Sequence, residues 1–397
     1  MPRVPNEPSV HVTLSGDVYL KSRQTQKGLI AKVRRNLGIA LDKAGYRGRL
    51  ERIGTHRFSM APTAEKRQAV IEASATVFGI ASVDTVVELS FDDFDDLVIA
   101  IADSSEARIE NTTFAVRAKR RGNHSWKSPD LARAVGSVLV ERGGSVDLTN
   151  PGVEIAVRVL DDRAFLVTEH VEGAAGLPLG TQDRVLCLLS GGFDSVVAAW
   201  MLMSRGCQVD FVHFSLNCAQ SDHALAVGRE LWDHWGHGSD PTVHLVEFQP
   251  VKDALLADVD SRMRQVTLKV MMAKAADHIA RDQSIAALLT GDSIGQVSSQ
   301  TLPHLVAVSA ASDTPIFRPL SGLPKQSIID LARAVGTAEL SARAQELCDL
   351  SEGRPVAISA GGKEIKESAG RIPEVVLADA LATAKSFKLR DWTPGQF

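Results

Sequence analysis

Cysteine, tyrosine and long apolar runs are scarce in this chain. Its 397 residues include four cysteines and two tyrosines, and aromatic residues make up 5%. The cysteines stand at positions 187, 207, 218 and 348, which is too few and too dispersed for a secreted disulfide framework and forms no CxxC metal or iron–sulfur signature. Any role they have is as individual thiols. No apolar run approaches the ~20 residues that cross a bilayer. The opening MPRVPNEPSV lacks the apolar core of a signal peptide. A cytoplasmic protein without a membrane partner is therefore expected.

What is present fits an ordinary globular chain. Apolar residues make up 44% and charged residues 23%, and the length allows two to four domains at ~100 to 200 residues each. The net charge of -4 conceals an asymmetry, because residues 1–50 hold ten Lys/Arg against three Asp/Glu. A basic front on an acidic protein suggests a local surface for a polyanion, although a solvated helix face has the same composition.

Strand-like alternation at 9–15 precedes a helical pattern over Lys27–Lys43, with Leu29, Ile30, Val33, Leu37 and Leu41 on one face and Lys32, Arg34 and Arg35 elsewhere. Short strands are expected at 57–60, 83–89, 153–159 and 163–169, and helices at 65–77, 93–101 and 129–141. The run TFAVRA (113–118) reads as a strand entering a basic loop, Lys119-Arg120-Arg121-Gly122-Asn123-His124. At 173–181 the composition changes to GAAGLPLGT, the main domain boundary. Beyond it apolar strands (185–189, 209–214, 243–248, 285–289) alternate with helices (195–204, 223–235, 253–281 with a break), the pattern of a parallel α/β sheet.

The strongest motif is Ser190-Gly191-Gly192-Phe193-Asp194-Ser195 between a strand and a helix. Two glycines let backbone N–H groups approach a ligand, and the helix N-terminus adds positive dipole, so an anionic phosphate suits the turn. Ser190 and Ser195 can donate hydrogen bonds to it. Asp194 disfavours a bare phosphate, which makes it a candidate for a Mg²⁺ contact or for positioning the reacting group. The string has neither the GKS/T of a Walker loop nor GxGxxG.

It resembles the PP-loop of the N-type ATP pyrophosphatases. Together with FAVRAKRRGNH (114–124), LTNPGVEIAVRVLDDRAFLV (148–167), GLPLGTQDRVLCLLSGGFDS (176–195), MLMSRGC (201–207), GQVSSQTL (295–302) and RPLSGLPKQSIIDLARAVGT (318–337), it is similar to the bacterial tRNA 4-thiouridine synthetases, or tRNA uracil 4-sulfurtransferases. The resemblance implies an α+β ferredoxin-like domain (1–65), a THUMP RNA-binding domain (66–172) and an α/β PP-loop domain of the adenine nucleotide alpha hydrolase type (173–397). It also implies adenylation of uridine 8 by ATP with Mg²⁺, followed by sulfur transfer.

Carried over residue by residue, nucleotide contacts fall on Leu188, Leu189, Ser190, Gly191, Gly192, Asp194, Ser195, His213, Phe214, Lys269, Gly291 and Gln300. Lys325, which begins a helix after Pro324, joins Asp194 as a catalytic candidate. RNA contacts fall on Lys32, Arg34, Arg35, Arg117, Lys119, Arg120 and Arg121, residue types suited to reading RNA by shape and backbone. No dedicated metal ligands are implied. The family's catalytic thiol corresponds to Cys348, where Glu346 and Asp349 would raise the thiol pKa unless Arg343 or the ligand offsets them. Cys207 is the candidate resolving thiol, Cys187 reads as core, and Cys218 stands where the family more often has a glycine-rich turn. The 49 residues after Cys348 hold no cysteine, so a form without the rhodanese domain of longer members is expected. The expected partners are tRNA and a cysteine desulfurase, with a homodimer left open. A tRNA-binding adaptor or adenylase without sulfur transfer, a small-molecule adenylase, and a sulfur carrier for thiamine thiazole synthesis are the alternatives.

Overall fold

The computed structural model describes residues 7–216, 218–344, 350 and 356–396. The chain divides into two compact units between Gly176 and Leu177, inside the small-residue stretch.

Unit one runs β1 (Ser9–Leu14), α1 (Gly16–Tyr19), α2 (Arg23–Lys43), β2 (Glu51–Ile53), β3 (Arg57–Met60), α3 (Ala64–Ala75), β4 (Ile80–Leu89), α4 (Phe94–Ser105), β5 (Thr113–Arg121), α5 (Ser128–Glu141), β6 (Ser145–Val146), β7 (Val153–Leu160) and β8 (Arg163–Glu172). Residues 7–65 and 66–172 share one eight-stranded sheet, ordered β2-β3-β1-β4-β8-β7-β5-β6. Helix α2 buries Ile30, Val33, Leu37 and Leu41 against Val10, Val12 and Leu14 of β1. It starts one turn before the apolar pattern because the Ser22 hydroxyl caps the Thr25 amide. Helices α4 and α5 pack on Phe114, Val116, Ile155 and Val157.

One expectation changes here. Lys119, Arg120 and Arg121 are not a loop. They continue β5, paired with Arg158, Val159 and Leu160 of the parallel β7. Strand ladders are non-local, so composition alone reads such a polar end as a turn. Alternation then separates the basic residues. Phe114 and Val116 face the helices and so does Arg120, whereas Arg117, Lys119 and Arg121 face the opposite side.

Unit two runs β9 (Arg184–Leu188), α6 (Phe193–Met203), β10 (Gln208–Ser215), α7 (Cys218–Trp235), β11 (Thr242–Glu247), α8 (Gln249–Asp258), α9 (Arg264–Asp282), β12 (Ala287–Leu289), α10 (Leu302–Ser309), β13 (Ile316–Phe317) and α11 (Lys325–Val335), with β14 (Lys385–Lys388) near its end. Strands β13-β12-β9-β10-β11 are parallel, and β14 adds an antiparallel edge. From β9 the chain builds outward through β10 and β11, then returns to add β12 and β13 on the other side. The switch point of this α/β sheet is therefore between β9 and β12, the crevice where such sheets take ligands. Among the described residues no helix is long and apolar enough to cross a membrane.

Candidate functional site

The SGGFDS turn leaves the carboxyl end of β9 and enters α6 with Gly192 as the residue before the helix. Gly191 has φ +80°, and a Cβ there would come within 3.1 Å of the Ala224 backbone, so both conformation and space require glycine. The Ser195 hydroxyl accepts the Ser190 amide at 3.2 Å, and the two hydroxyls are also 3.2 Å apart, which folds the turn over the first turn of α6. From the next strand, Gly291 packs directly on this turn. A Cβ there would sit 2.5 Å from the Asp194 carbonyl carbon.

A cavity of about 230 Å³ opens at the switch point. Of the residues expected from sequence, Leu188, Ser190, Asp194, Ser195, Lys269, Gly291 and Gln300 line it. Met272, Ala273, Leu288, Val308 and Ile316 give it an apolar wall, and Thr290 and Asp292 complete the lining. Leu189, Gly191, Gly192, His213 and Phe214 lie outside that lining, at or beyond the ends of β9 and β10. His213 donates Nδ1–H to the Leu189 carbonyl at 2.8 Å, and burial holds its pKa below the usual histidine value, so the ring stays neutral. Its buried Nε2 is left as an acceptor without a partner.

The two lysines are both held by carboxylates. Lys325 donates to Asp194 Oδ1 at 2.7 Å, and Gln296 donates to Asp194 Oδ2 at 2.8 Å. Lys269 donates to Asp292 Oδ1 at 2.7 Å, joined there by Gln300 Nε2 at 3.1 Å. The other oxygen of Asp292 accepts from Thr290 Oγ1 at 2.8 Å and Arg318 Nε at 3.4 Å. Burial opposes the charge on Asp292, but Lys269, Thr290 and Arg318 outweigh it and hold the pKa below the ordinary carboxylate range. Asp292, Thr290, Gln296 and Arg318 carried no site role in the sequence reading. The acidic residue just past the end of β12 was the available signal, since ligands gather at strand ends.

The thiols of Cys187 and Cys207 do not line this cavity. Cys187 is enclosed in β9 and burial pushes its pKa up to about 12. Cys207 precedes β10 at the amino edge of the sheet, so the length of that strand, about 26 Å at ~3.3 Å per residue, separates it from the carboxyl edge. The Cys207 thiol is half-buried, and burial with Asp183 nearby raises its pKa. Cys218 opens α7. Cys348 lies outside the described residues.

In unit one, Arg34 and Arg35 are exposed on α2 and Lys32 is half-buried. Arg117 is tied to Glu154 at 3.4 Å and to the Leu148 carbonyl at 2.8 Å, and Arg121 reaches Thr55 Oγ1 at 3.2 Å. Lys119 is exposed. Arg120 instead stacks on Trp126, 5.8 Å from the ring centre.

Comparison with known proteins agrees with both units. Residues 180–372 match the family described as thiamine biosynthesis protein (ThiI), and residues 88–169 match the THUMP domain. A tRNA sulfurtransferase of Desulfurococcus amylolyticus is 35% identical over 87% of this chain and 71% of its own. One from Sodalis glossinidius is 34% identical over 96% of this chain and 79% of its own. A solved 4-thiouridine synthetase, captured with RNA and bound ATP, superposes with a TM-score of 0.78 at 24% identity, covering 96% of this chain and 100% of that one. The α/β fold class with its preceding α+β module therefore stands, and shared sequence over most of both chains makes this protein a member of the tRNA sulfurtransferase family.

Proposed function

We propose that the protein thiolates tRNA with ATP, converting uridine 8 to 4-thiouridine. The uracil O4 attacks the α-phosphorus of ATP and pyrophosphate leaves. Sulfur carried as a persulfide on Cys348 then attacks C4, AMP departs with O4, and a thiol cleaves the remaining S–S bond. Activation is needed because oxygen leaves poorly as hydroxide and readily as AMP.

The observation that carries this reading is the Gly-Gly turn at the N-terminus of α6, set at the switch point with Lys269 and Lys325 beside it. Backbone amides and the Ser190 and Ser195 hydroxyls suit phosphate oxygens. The two lysines, paired with Asp292 and Asp194, are cations available to a triphosphate. Leu188, Leu189, His213, Phe214, Gly291 and Gln300 complete the nucleotide set. The described residues hold no group of three His, Cys, Asp or Glu that could ligate a metal. Mg²⁺ that retains waters and phosphate oxygens needs only one or two carboxylates, and Asp194 fits that role. Bound there, the ion would withdraw charge from the phosphates.

Residues 1–65 and 66–172 are the tRNA-binding part in this reading and 173–397 the catalytic part. A cysteine desulfurase supplies the sulfur, and a tRNA substrate implies a cytoplasmic protein. Mass spectrometry of nucleosides from a deletion strain tests the proposal. 4-Thiouridine should vanish, return with the wild-type chain and stay absent with Cys348→Ser. Persistence of 4-thiouridine in the deletion strain contradicts it.

A further inference from the structure

Asp292, itself part of the cavity lining, has a different cation at each oxygen. Oδ1 faces Lys269 and Gln300, which line the cavity, and Gln300 is itself buried with its Oε1 unpartnered. Oδ2 faces Thr290 and Arg318. Arg318 does not line the cavity. It is largely buried, its side chain 12% exposed, and anchored by Ser309 Oγ at 2.8 Å and the Leu305 carbonyl at 3.5 Å.

The second cation has a consequence for binding. A phosphate that takes Lys269 competes with Asp292 for the same ammonium group. A buried carboxylate stripped of its only cation is strongly destabilised. Arg318 removes that obstacle, because it remains at Oδ2 whatever Lys269 does. The pair Lys325–Asp194 needs no such reserve, since both of its side chains are partly open to water.

We propose that Asp292 and Arg318 are positioning residues of the ATP site: Asp292 holds Lys269 and Gln300 in the cavity lining, and Arg318 is the standing counter-ion that lets Lys269 transfer to phosphate. This rests on the ATP reading above.

Calorimetric titration of the full chain with ATP and Mg²⁺ tests it through a double-mutant cycle. Arg318→Met should weaken ATP binding about tenfold or more, because releasing Lys269 would bare Asp292. Asp292→Asn should leave ATP affinity within about threefold of wild type, or tighter, since one negative charge near the phosphates is gone, while AMP formation slows about a hundredfold because Lys269 is no longer held. In the double variant the loss caused by Arg318→Met should disappear. A purely structural pair gives the opposite pattern, a double variant that binds no better than Arg318→Met alone, and that result overturns the proposal. Arg318→Lys, which keeps the charge, should bind like wild type and covers the case in which Arg318→Met does not fold. If its affinity falls as far as that of Arg318→Met, the counter-ion role is wrong. Failure of the wild-type chain to bind ATP would instead refute the nucleotide reading itself.

Discussion

Each unit has an aspartate buried against two basic side chains, Asp84 in one and Asp292 in the other, and the two are put to different use. Asp84 in β4 is fully enclosed, with Arg158 of β7 and His170 of β8 each at 2.6 Å. Its partners are strand residues fixed by the sheet ladder, so the cluster joins β4, β8 and β7 on the face away from the helices. Asp292 stands at the carboxyl edge of a parallel sheet, and its nearest cation, Lys269, lines a cavity. The chemistry of the pair is the same in both places. What distinguishes them is whether a partner can leave, and that depends on topology.

The comparison can be broken most severely at the nucleotide turn. Asp194→Ala should reduce AMP formation about a thousandfold, the scale of losing one group at a reacting centre, while thermal unfolding and tRNA binding stay near wild type. Unchanged pyrophosphate release by this variant would remove Asp194 from the chemistry.

Asp84→Asn should act in the reverse way. It leaves Arg158 buried without its counter-ion and should destabilise unit one by about 4 kcal/mol, measured by denaturant unfolding, with ATP affinity per folded molecule unaltered. A variant as stable as wild type would make the cluster a surface pair in effect.

The same cluster sets a pH dependence. His11 is buried beside Arg158, Arg57 and Phe165, and burial first, then Arg158 and Arg57, lowers its pKa from 6.5 to about 4, against a smaller opposing pull from Asp84. An imidazole that is harder to protonate when folded takes up its proton preferentially in the unfolded chain. Stability is therefore lost as pH falls from 6.5 to about 4, by up to about 3 kcal/mol, with no further loss from this group below that. His170 runs the other way. Its pKa is raised chiefly by its hydrogen bond with Asp84, so its contribution is full below about 6.5 and is lost as pH rises through its folded value. Unfolding of unit one between pH 4 and 7 in His11→Gln should lack the acid-side loss. An unchanged profile would assign that loss to other groups.

The smallest effect sharpens the RNA side. Lys119→Ala with Arg121→Ala should weaken tRNA binding and flatten its logarithmic salt dependence by about 0.9 per lost contact. Arg120→Ala should change the slope less, because Arg120 is committed to Trp126. An equal change in slope per residue replaced would dissolve the facial distinction.

Elements with an internal period were readable. The helix over 27–43, the hairpin around Asp161 and the PP-loop between β9 and α6 follow from helical spacing, alternation, turn residues and a contiguous string. The last turns of β5 were not, since Arg120 and Arg121 become strand only by pairing with β7, some 40 residues away. Strand β14 escaped for the same reason. At the candidate site, the glycine turn was legible because its residues are contiguous in sequence. Asp292 and Arg318 were silent because their pairing exists only after β12 and the segment following β13 are brought side by side. Cys348 remains an expectation from family resemblance.

Conversion of ATP by the purified chain, with and without unmodified tRNA, tests the central claim most directly. The account predicts that AMP and pyrophosphate form, that unmodified tRNA stimulates both, and that Asp194→Ala abolishes the stimulation. Formation of ADP and phosphate, or AMP formation indifferent to tRNA, would contradict it.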